Sequence, residues 1–199
     1  ELTQAGLAAL SGYLKKEICS GLGEIGLDYF WDNSKKEPQM NLLDAQLGLS
    51  NSSGRICVFH ARNGKDASAD NAYLDLAMKL KERWTLNNGR RARGVLHCFS
   101  GSWQDAKAGL DLGLFLGVNG TFTYKKNDAL RETIRKAGPA NIVLETDCPY
   151  LPVQEQRGKR NEPSRIPDIA EAAASYLGVR PERLAEVTTS NASELFYIL

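Results

Sequence analysis

Five short runs of apolar and β-branched residues recur along the chain, separated by segments in which apolar residues follow a helical period. The runs predict β-strands at Ile18–Ile25, Ile56–Phe59, Gly94–Phe99, Leu114–Val118 and Asn141–Leu144. The segments between them predict helices at Asp70–Trp84, Trp103–Leu112, Asn127–Ala137 and Ile169–Leu177. Strands that alternate with helices pair in parallel through crossover connections, so the pattern predicts an α/β fold.

The length and composition fit a single ordinary globular domain. The 199 residues are 42% hydrophobic and 25% charged, which predicts one domain over residues 1–199. Lysine and arginine number 25 against 24 acidic residues, which gives a net charge of +1. The net charge therefore does not indicate a partner, and any electrostatic attraction must be local.

The cysteines and the absence of targeting signals predict the compartment. Cys19, Cys57, Cys98 and Cys148 show no C-x-x-C spacing and lie in or beside apolar runs, which is typical of free thiols in a reducing compartment. No stretch approaches the roughly 18 apolar residues of a membrane span, and the chain does not begin with a signal peptide. We therefore expect a cytoplasmic protein, with the nucleus or mitochondrion as alternatives, that needs neither a membrane nor an obligate protein partner.

Acidic and imidazole side chains follow the predicted strands where these end. Glu24 lies at the end of the first predicted strand and Asp28 just beyond it, His60 follows the second, His97 is in the third and Asp147 follows the fifth. The carboxyl ends of parallel strands share one face, where active sites of such folds are built. Imidazole and carboxylate donors together suit zinc, manganese or magnesium, so we predict a divalent-metal site.

Each of these residues also has a simpler interpretation when it is taken alone. A single strand histidine is more often a hydrogen-bonded core residue than a ligand. A carboxylate after a strand often caps the next helix, as Asp147 or Asp28 could do. The metal site is favoured because the two histidines of the chain and two acids occupy corresponding positions of successive βα units.

The motifs at the strand ends resemble those of TatD-family deoxyribonucleases, in the same order. They are Gly23-Glu24-Ile-Gly26-Leu-Asp28-Tyr29, His60-x-Arg62, His97-Cys-Phe-Ser-Gly101, Gly117-x-Asn119-Gly120, Glu145-Thr-Asp147-x-Pro-Tyr-Leu151, Arg157-Gly-Lys-Arg-Asn161-Glu-Pro163 and Asn191-x-x-x-Leu195-Phe196. The similarity extends from about Cys19 to the end of the chain. It implies a TIM (β/α)8-type barrel of the amidohydrolase-like metal hydrolases, with about five of the eight βα units present in this chain.

The resemblance also implies an activity and a set of ligands. The activity is hydrolysis of DNA phosphodiester bonds, usually from a strand end, with two divalent metal ions (Mg, Mn or Zn). Glu24 would bridge the two cations, His60 and His97 would bind one of them, and Asp147 would bind the other. Glu24 and Asp147 are the catalytic candidates, with Asp147 as both ligand and general base.

One family motif does not occur in the sequence. The first strand of the family ends in a His-x-His pair that supplies two further ligands, whereas this chain contains only two histidines in all. Its first residue is Glu rather than Met, which favours a fragment of a longer protein over a natural truncation or a site completed by another chain. We expect this chain by itself to bind one cation better than two and to cleave DNA poorly or not at all.

Basic and aromatic residues on the loops after the strands indicate the substrate. The substrate-binding candidates are Arg62, Asn119, Arg157, Lys159, Arg160 and Asn161. Cations beside a metal site suit an anionic polymer, and DNA is the predicted partner, single-stranded or at strand ends. Loop aromatics that could stack bases are Tyr29, Phe30, Trp31, Phe122 and Tyr124. The alternatives are that Asn119 stabilises its turn, and that the aromatics pack on the fold while the cations are solvated.

Two other functions remain open at this stage. A metal hydrolase for a small ester, lactone or amide would use the same fold and ligands. A nucleic-acid-binding remnant with impaired catalysis would account for the missing His-x-His pair.

Overall fold

A computed structural model describes residues 3–31, 36–84 and 94–196, in which β-strands and α-helices alternate. The strands are β1 (Gly21–Asp28), β2 (Ile56–Arg62), β3 (Gly94–His97), β4 (Phe115–Val118) and β5 (Ile142–Leu144). The helices are α1 (Gln4–Leu14), α2 (Lys36–Ser53), α3 (Ala72–Arg83), α4 (Trp103–Asp111), α5 (Asp128–Ala137), α6 (Ile166–Leu177) and α7 (Pro181–Phe196). The sheet has the order β1-β2-β3-β4-β5, and the pairs β1–β2 and β4–β5 are parallel.

The chain divides into two compact units, and each is described by itself. The first contains Glu1–Leu96 with Asp111–Leu114, and the second contains His97–Leu110 with Phe115–Leu199. The prediction of a single domain over residues 1–199 stays a prediction.

The first unit is built on β1 and β2 with α2 and α3. In β2 the buried residues Cys57, Phe59 and Ala61 alternate with half-buried ones, because successive side chains of a strand point to opposite faces. Leu43 and Leu47 lie one turn apart on α2 and are both fully buried. One face of β1–β2 therefore belongs to the core, and the other face is available for polar side chains.

The first strand lies three residues further along the chain than predicted. Ile18 is 91% exposed and precedes the strand, which starts at Gly21 and continues to Asp28. The prediction was wrong at both ends, because the ladder begins with the pair Gly21–Ile56 and continues past Ile25 to the pair Asp28–Arg62. Glu24, predicted near the end of this strand, thus lies in its middle.

The second unit contains β4 and β5 with α5, α6 and α7. All four residues of β4 are buried, as expected for a parallel strand covered on both faces. On α7 the buried residues Leu184, Thr188, Asn191 and Leu195 repeat at helical spacing. Asn191 donates from its side-chain amide to the carbonyl oxygens of Pro139 and Ile142, which links α7 to the start of β5. Among the helices of the described residues, none is both long enough and apolar enough to cross a lipid bilayer.

A buried phenol links the end of β1 to α3 and gives a test of the first unit. The hydroxyl of Tyr29 donates a hydrogen bond to Asp75 at 2.9 Å. Burial of the phenol is the larger cause, and the Asp75 carboxylate the smaller one, that raises the pKa of Tyr29 well above its ordinary value. We expect Tyr29→Phe to lower the free energy of unfolding by about 1.5 kcal/mol, because it removes a hydrogen bond to a charged group while keeping the ring. Urea denaturation measures the difference.

The difference in the free energy of unfolding between wild type and Tyr29→Phe should depend on pH if the hydrogen bond causes it, and should not if packing does. A raised pKa in the folded state stabilises the protonated phenol, so its contribution is complete below the ordinary value of 10.0 and decreases as the pH rises above it. The gap between wild type and Tyr29→Phe should therefore be constant from neutral pH to about pH 10 and narrow beyond it. A gap that is the same on both sides of pH 10 would rule out the hydrogen bond as its cause.

Candidate metal centre

Four polar side chains lie on the face of β1–β2 that is turned away from the helices. Buried Ile25 and Leu27 face the core, so Glu24 and Asp28, offset by one position, point to the other side. His60 and Arg62 take the same face of β2, and the register pairs Asp28 with Arg62. The alternation of two parallel strands thus brings two carboxylates, an imidazole and a guanidinium together.

The imidazole of His60 lies between the two carboxylates. Its Nε2 atom is 3.0 Å from Asp28 Oδ2, and its Nδ1 atom is 3.8 Å from Glu24 Oε2. A carboxylate accepts a hydrogen bond, so Asp28 favours the tautomer that carries the proton on Nε2. The lone pair then lies on Nδ1, on the side of Glu24, as a metal ligand requires.

Asp28 is itself held by several hydrogen bonds. The side-chain amide of Gln39 on α2 bonds to both the backbone N–H and the carbonyl of Asp28, at 2.7 and 2.8 Å. The second carboxylate oxygen of Asp28 accepts the N–H of Phe30. Gly26, on the same face, has a φ of 147° and packs against the carbonyl of His60, where a Cβ atom would collide. The position of the His60 ring is therefore fixed from both strands.

The second unit contains a similar arrangement around His97. Its Nδ1 atom is 2.8 Å from Glu145 Oε2, and its Nε2 atom is 3.4 Å from Asp147 Oδ1. Glu145 thus holds the proton on Nδ1 and leaves the lone pair of Nε2 on the side of Asp147. Two ligand atoms about 2.1 Å from a tetrahedral metal lie roughly 3.4 Å apart, so this pair fits one divalent ion.

The thiol of Cys98 is a third donor at this place. Ligand atoms of His97, Cys98 and Asp147 all lie within 4.8 Å of one another. Sulfur is a soft donor that suits zinc, whereas magnesium and manganese favour oxygen donors, so the set that includes the thiol fits zinc best. The sequence-based prediction included His97 and Asp147 and left Cys98 among the core cysteines.

The backbone at this cluster adopts conformations that are rare for residues with side chains. Cys98 has a φ of 50° and Asp147 a φ of 54°, and Leu151, on the same loop as Asp147, has a φ of 49°. Such conformations cost about 1–3 kcal/mol each and occur mainly at functional sites, where neighbouring bonds enforce them. The strain lies at the two residues that flank the His97 ring.

The carboxylate of Glu145 occupies a space that only glycine could leave open. A Cβ atom added at Gly117 on β4 would lie 2.7 Å from Cδ of Glu145. The two oxygens of that carboxylate have separate partners, because Oε1 accepts the N–H of Cys98 at 2.5 Å while Oε2 contacts His97. Glu145 is therefore a fixed support for His97 rather than a ligand itself.

The two predicted substrate-binding asparagines are buried. Asn119 is 2% exposed, accepts the N–H of Thr121 and donates to the sulfur of Cys98 at 2.9 Å. Asn161 is 3% exposed and donates to the carbonyl oxygens of Thr146 and Tyr150, on either side of Asp147. Both side chains hold the loops that carry Cys98 and Asp147, and a contact from either to a substrate stays a prediction.

The basic residues predicted to bind substrate differ from the two asparagines, because their side chains are accessible to solvent. Arg157, Lys159 and Arg160 are exposed on one loop, and Arg62 is half-buried. The guanidinium of Arg157 lies over the ring of Tyr124 at 4.7 Å. Among the loop aromatics, Tyr29 and Phe122 are buried in the core, which agrees with the alternative that these two rings pack on the fold.

The sequence-based prediction missed the residues that orient the histidines. Glu145 was quoted only within a motif, Asp28 was considered as a strand-end carboxylate or a helix cap but not as a support for His60, and Gln39 was not considered. Glu145 and Asp147 are two residues apart after one strand, a spacing that could have indicated one ligand and one support. No local signal points to Gln39, because its partner Asp28 is eleven residues away on another element.

The support from Glu145 can be tested through metal affinity. In Glu145→Gln one oxygen becomes an NH2 group, so either the N–H of Cys98 loses its acceptor or His97 is pushed to the tautomer with the proton on Nε2. We expect the affinity for Mn2+ or Zn2+, measured by isothermal titration calorimetry, to fall about 10- to 100-fold.

A surface glutamate provides the matched control for this variant. Glu186 forms an exposed pair with Arg183, and Glu186→Gln should leave metal affinity unchanged. His97→Ala should remove the binding that Glu145→Gln weakens. If His97→Ala loses the metal and Glu145→Gln binds it like wild type, Glu145 does not orient the ligand.

Comparison with known proteins places the chain among metal-dependent hydrolases. The chain is 31% identical to the uncharacterized metal-dependent hydrolase YabD of Bacillus subtilis and covers 73% of it, with all of this chain aligned. It is 35% identical to the uncharacterized metal-dependent hydrolase YcfH of Escherichia coli over 89% of this chain and 62% of that protein. The chain thus spans between 62% and 73% of the length of these relatives.

A solved structure has the same fold. The crystal structure of YjjV, a TatD homologue from Escherichia coli, matches 99% of this chain and 72% of its own with a TM-score of 0.85 and 30% identity. This match and the five strands alternating with helices confirm the predicted α/β fold, with five βα units of a TIM-type barrel. The profile of the TatD related DNase family matches residues 1–197. The ordered motifs thus indicated the correct family, and the chain belongs to the TatD related DNases.

Proposed function

We propose that this chain belongs to a metal-dependent deoxyribonuclease that hydrolyses phosphodiester bonds of DNA. The observation that carries the proposal is the arrangement around His97, in which one ring nitrogen contacts Glu145 and the other lies 3.4 Å from Asp147. His60 has the same kind of surroundings, with Asp28 on one nitrogen and Glu24 towards the other. Carboxylate-supported histidines beside a second carboxylate are typical of catalytic metal sites.

The proposed ligands are His97 and Asp147 in the second unit, and Glu24 and His60 in the first. A bound divalent cation supplies Lewis-acid activation of a phosphodiester and of the attacking water. The donors fit such an ion because their separation suits a shared metal and their lone pairs are directed by Glu145 and Asp28. Each pair therefore needs little rearrangement when a cation binds.

Asp147 is proposed to accept the proton of the attacking water as well as to bind metal. Its side chain is partly exposed, so water reaches it, and its loop is fixed by Asn161 through two backbone carbonyls. Its backbone has a positive φ, which directs the side chain away from the regular path of the strand. A carboxylate held in this way can position a water molecule for in-line attack.

The basic loop after Asp147 supports a phosphodiester as the substrate. Arg157, Lys159 and Arg160 are exposed, and Lys125 and Lys126 lie exposed on the loop after β4. Arg157 forms no ion pair with any residue that the structure describes and stacks on Tyr124 instead, so its charge is not neutralised within this part of the chain. Cations without acidic partners favour an anionic polymer over a small neutral ester.

The proposal is tested by a nuclease assay on labelled single-stranded DNA with Mg2+ or Mn2+. Asp147→Ala should lower the rate of cleavage at least about 100-fold, because it removes both a metal ligand and the proton acceptor. Asp168→Asn, which alters an exposed acid paired with Arg165 at the start of α6, should cleave like wild type.

The other outcomes of the assay separate the alternatives. Equal cleavage by wild type and Asp147→Ala would reject the proposed role of Asp147. Turnover of a small carboxylic ester without any cleavage of DNA would assign the metal site to an ester hydrolase. Binding of DNA without cleavage in either metal would favour the nucleic-acid-binding remnant with impaired catalysis over an active nuclease.

A further inference from the structure

We infer that Arg62, Phe30 and Trp31 form a nucleotide-binding subsite in the first unit, in which a base of single-stranded DNA stacks on Trp31 and the adjoining phosphate binds Arg62. The inference rests on the proposed function, because it names the part of a DNA substrate that this unit would hold. We refer to these three residues as the stacking subsite.

The three side chains form a cluster with one cation–π contact on each ring. The guanidinium carbon of Arg62 lies 3.9 Å from the ring centroid of Phe30, which places the cation on the face of the phenyl ring. It lies 5.6 Å from the ring of Trp31. The two aromatic rings meet edge to face, with centroids 5.2 Å apart and an interplanar angle of 88°. The planar groups are therefore positioned before any substrate binds.

Arg62 keeps its charge available for a phosphate. It forms no ion pair and donates no side-chain hydrogen bond to the residues within 3–31, 36–84 and 94–196. A cation–π contact uses the flat face of the guanidinium, whereas its N–H donors point outward in the plane. Those donors match the two oxygens of a phosphate group. Arg83, by contrast, donates two hydrogen bonds to the carboxylate of Asp44, which neutralises its charge.

Trp31 exposes a large apolar surface that the fold does not need for its core. It is 58% exposed, whereas Tyr29, two residues earlier, is buried and hydrogen-bonded to Asp75. An exposed indole stacks on any nucleobase, because every base has a π-face, and such stacking does not require a particular sequence. The first unit therefore has a sequence-tolerant surface for a base beside a cation for its phosphate.

The stacking subsite is tied to the His60 cluster through one residue. Asp28 accepts the N–H of Phe30 on one oxygen and contacts His60 on the other. Arg62 is two residues beyond His60 on the same face of β2, about 6.6 Å along the strand. A nucleotide bound to Arg62 and Trp31 would thus have its phosphate close to Glu24 and His60, as a nuclease requires.

The test is the binding of a fluorescently labelled oligothymidine, measured by fluorescence anisotropy without added metal so that hydrolysis does not interfere. Trp31→Ala should weaken binding about tenfold, the effect of losing one stacked base. Trp31→Phe should restore most of the affinity. On a strand of the same length made of abasic sites, Trp31→Ala should bind like wild type, because no base is present to stack.

Arg62→Lys separates the contribution of the phosphate from that of the base. Lysine keeps the charge and loses the planar fork, so binding should weaken on both the thymidine strand and the abasic strand. The matched control is Tyr13→Ala on α1, where Lys16 lies 4.7 Å from an exposed tyrosine ring in a cation–π pair remote in sequence from any strand end. That variant should bind both strands like wild type.

Three results would reject the subsite. The first is equal affinity of wild type and Trp31→Ala for oligothymidine, and the second is that Trp31→Ala loses as much affinity on the abasic strand as on oligothymidine. The third is that the wild-type protein does not bind oligothymidine. Circular dichroism and the melting temperature verify that each variant is folded. Strand binding that depends on Trp31 without any metal-dependent cleavage would reject the proposed nuclease and keep the subsite, so the two failures are distinguishable.

Discussion

The hydrogen bond between a carboxylate and an imidazole is the interaction on which both clusters depend. An imidazole can place its proton on either nitrogen, and the partner of one nitrogen decides which lone pair is available to a metal. Glu145 makes this choice for His97, and Asp28 makes it for His60, by contacting opposite atoms of the ring, Nδ1 in one case and Nε2 in the other. The two histidines are therefore opposite tautomers, and each keeps one nitrogen lone pair on the side of a second carboxylate.

This arrangement has a structural cost, which buried amides and small residues offset. Cys98 and Asp147 adopt left-handed backbone conformations, and the hydrogen bonds of Asn119 and Asn161 hold the segments that contain them. A buried asparagine would itself be destabilising if its amide were unpaired, but both of these amides donate and accept hydrogen bonds at the loops that they support. Gly117 supplies the space that the Glu145 carboxylate fills. The strained residues and their supports thus form one cooperative unit, and the loss of a support should be felt at the ligand.

The sequence predicts the elements and the two histidines, and it fails where contacts span distant positions. Alternation along β2 is a local property, so His60 and Arg62 could be assigned to one face from their spacing alone. The pairing of Asp28 with Arg62 extends β1 beyond Ile25 and cannot be derived from the local pattern, which is why Glu24 was placed at the strand end. His97 and Glu145 are separated by 48 positions, and only the folded sheet brings them to 2.8 Å. Asn161 looked like a polar loop residue and is buried, because burial is set by the loop that closes over it.

The charge distribution explains how a nearly neutral chain can bind a polyanion. Many of the acidic residues neutralise arginines on the helices, as in the pairs Arg83–Asp44, Arg135–Glu132 and Arg183–Glu186. Arg62 and Arg157 rest on aromatic rings instead and have no acidic partner in the part of the chain that the structure describes. An aromatic face holds a guanidinium in place without cancelling its charge, whereas a carboxylate does both. A balance of 25 basic and 24 acidic residues is therefore compatible with a positive potential near Arg62 and Arg157, because the acidic residues neutralise other basic side chains.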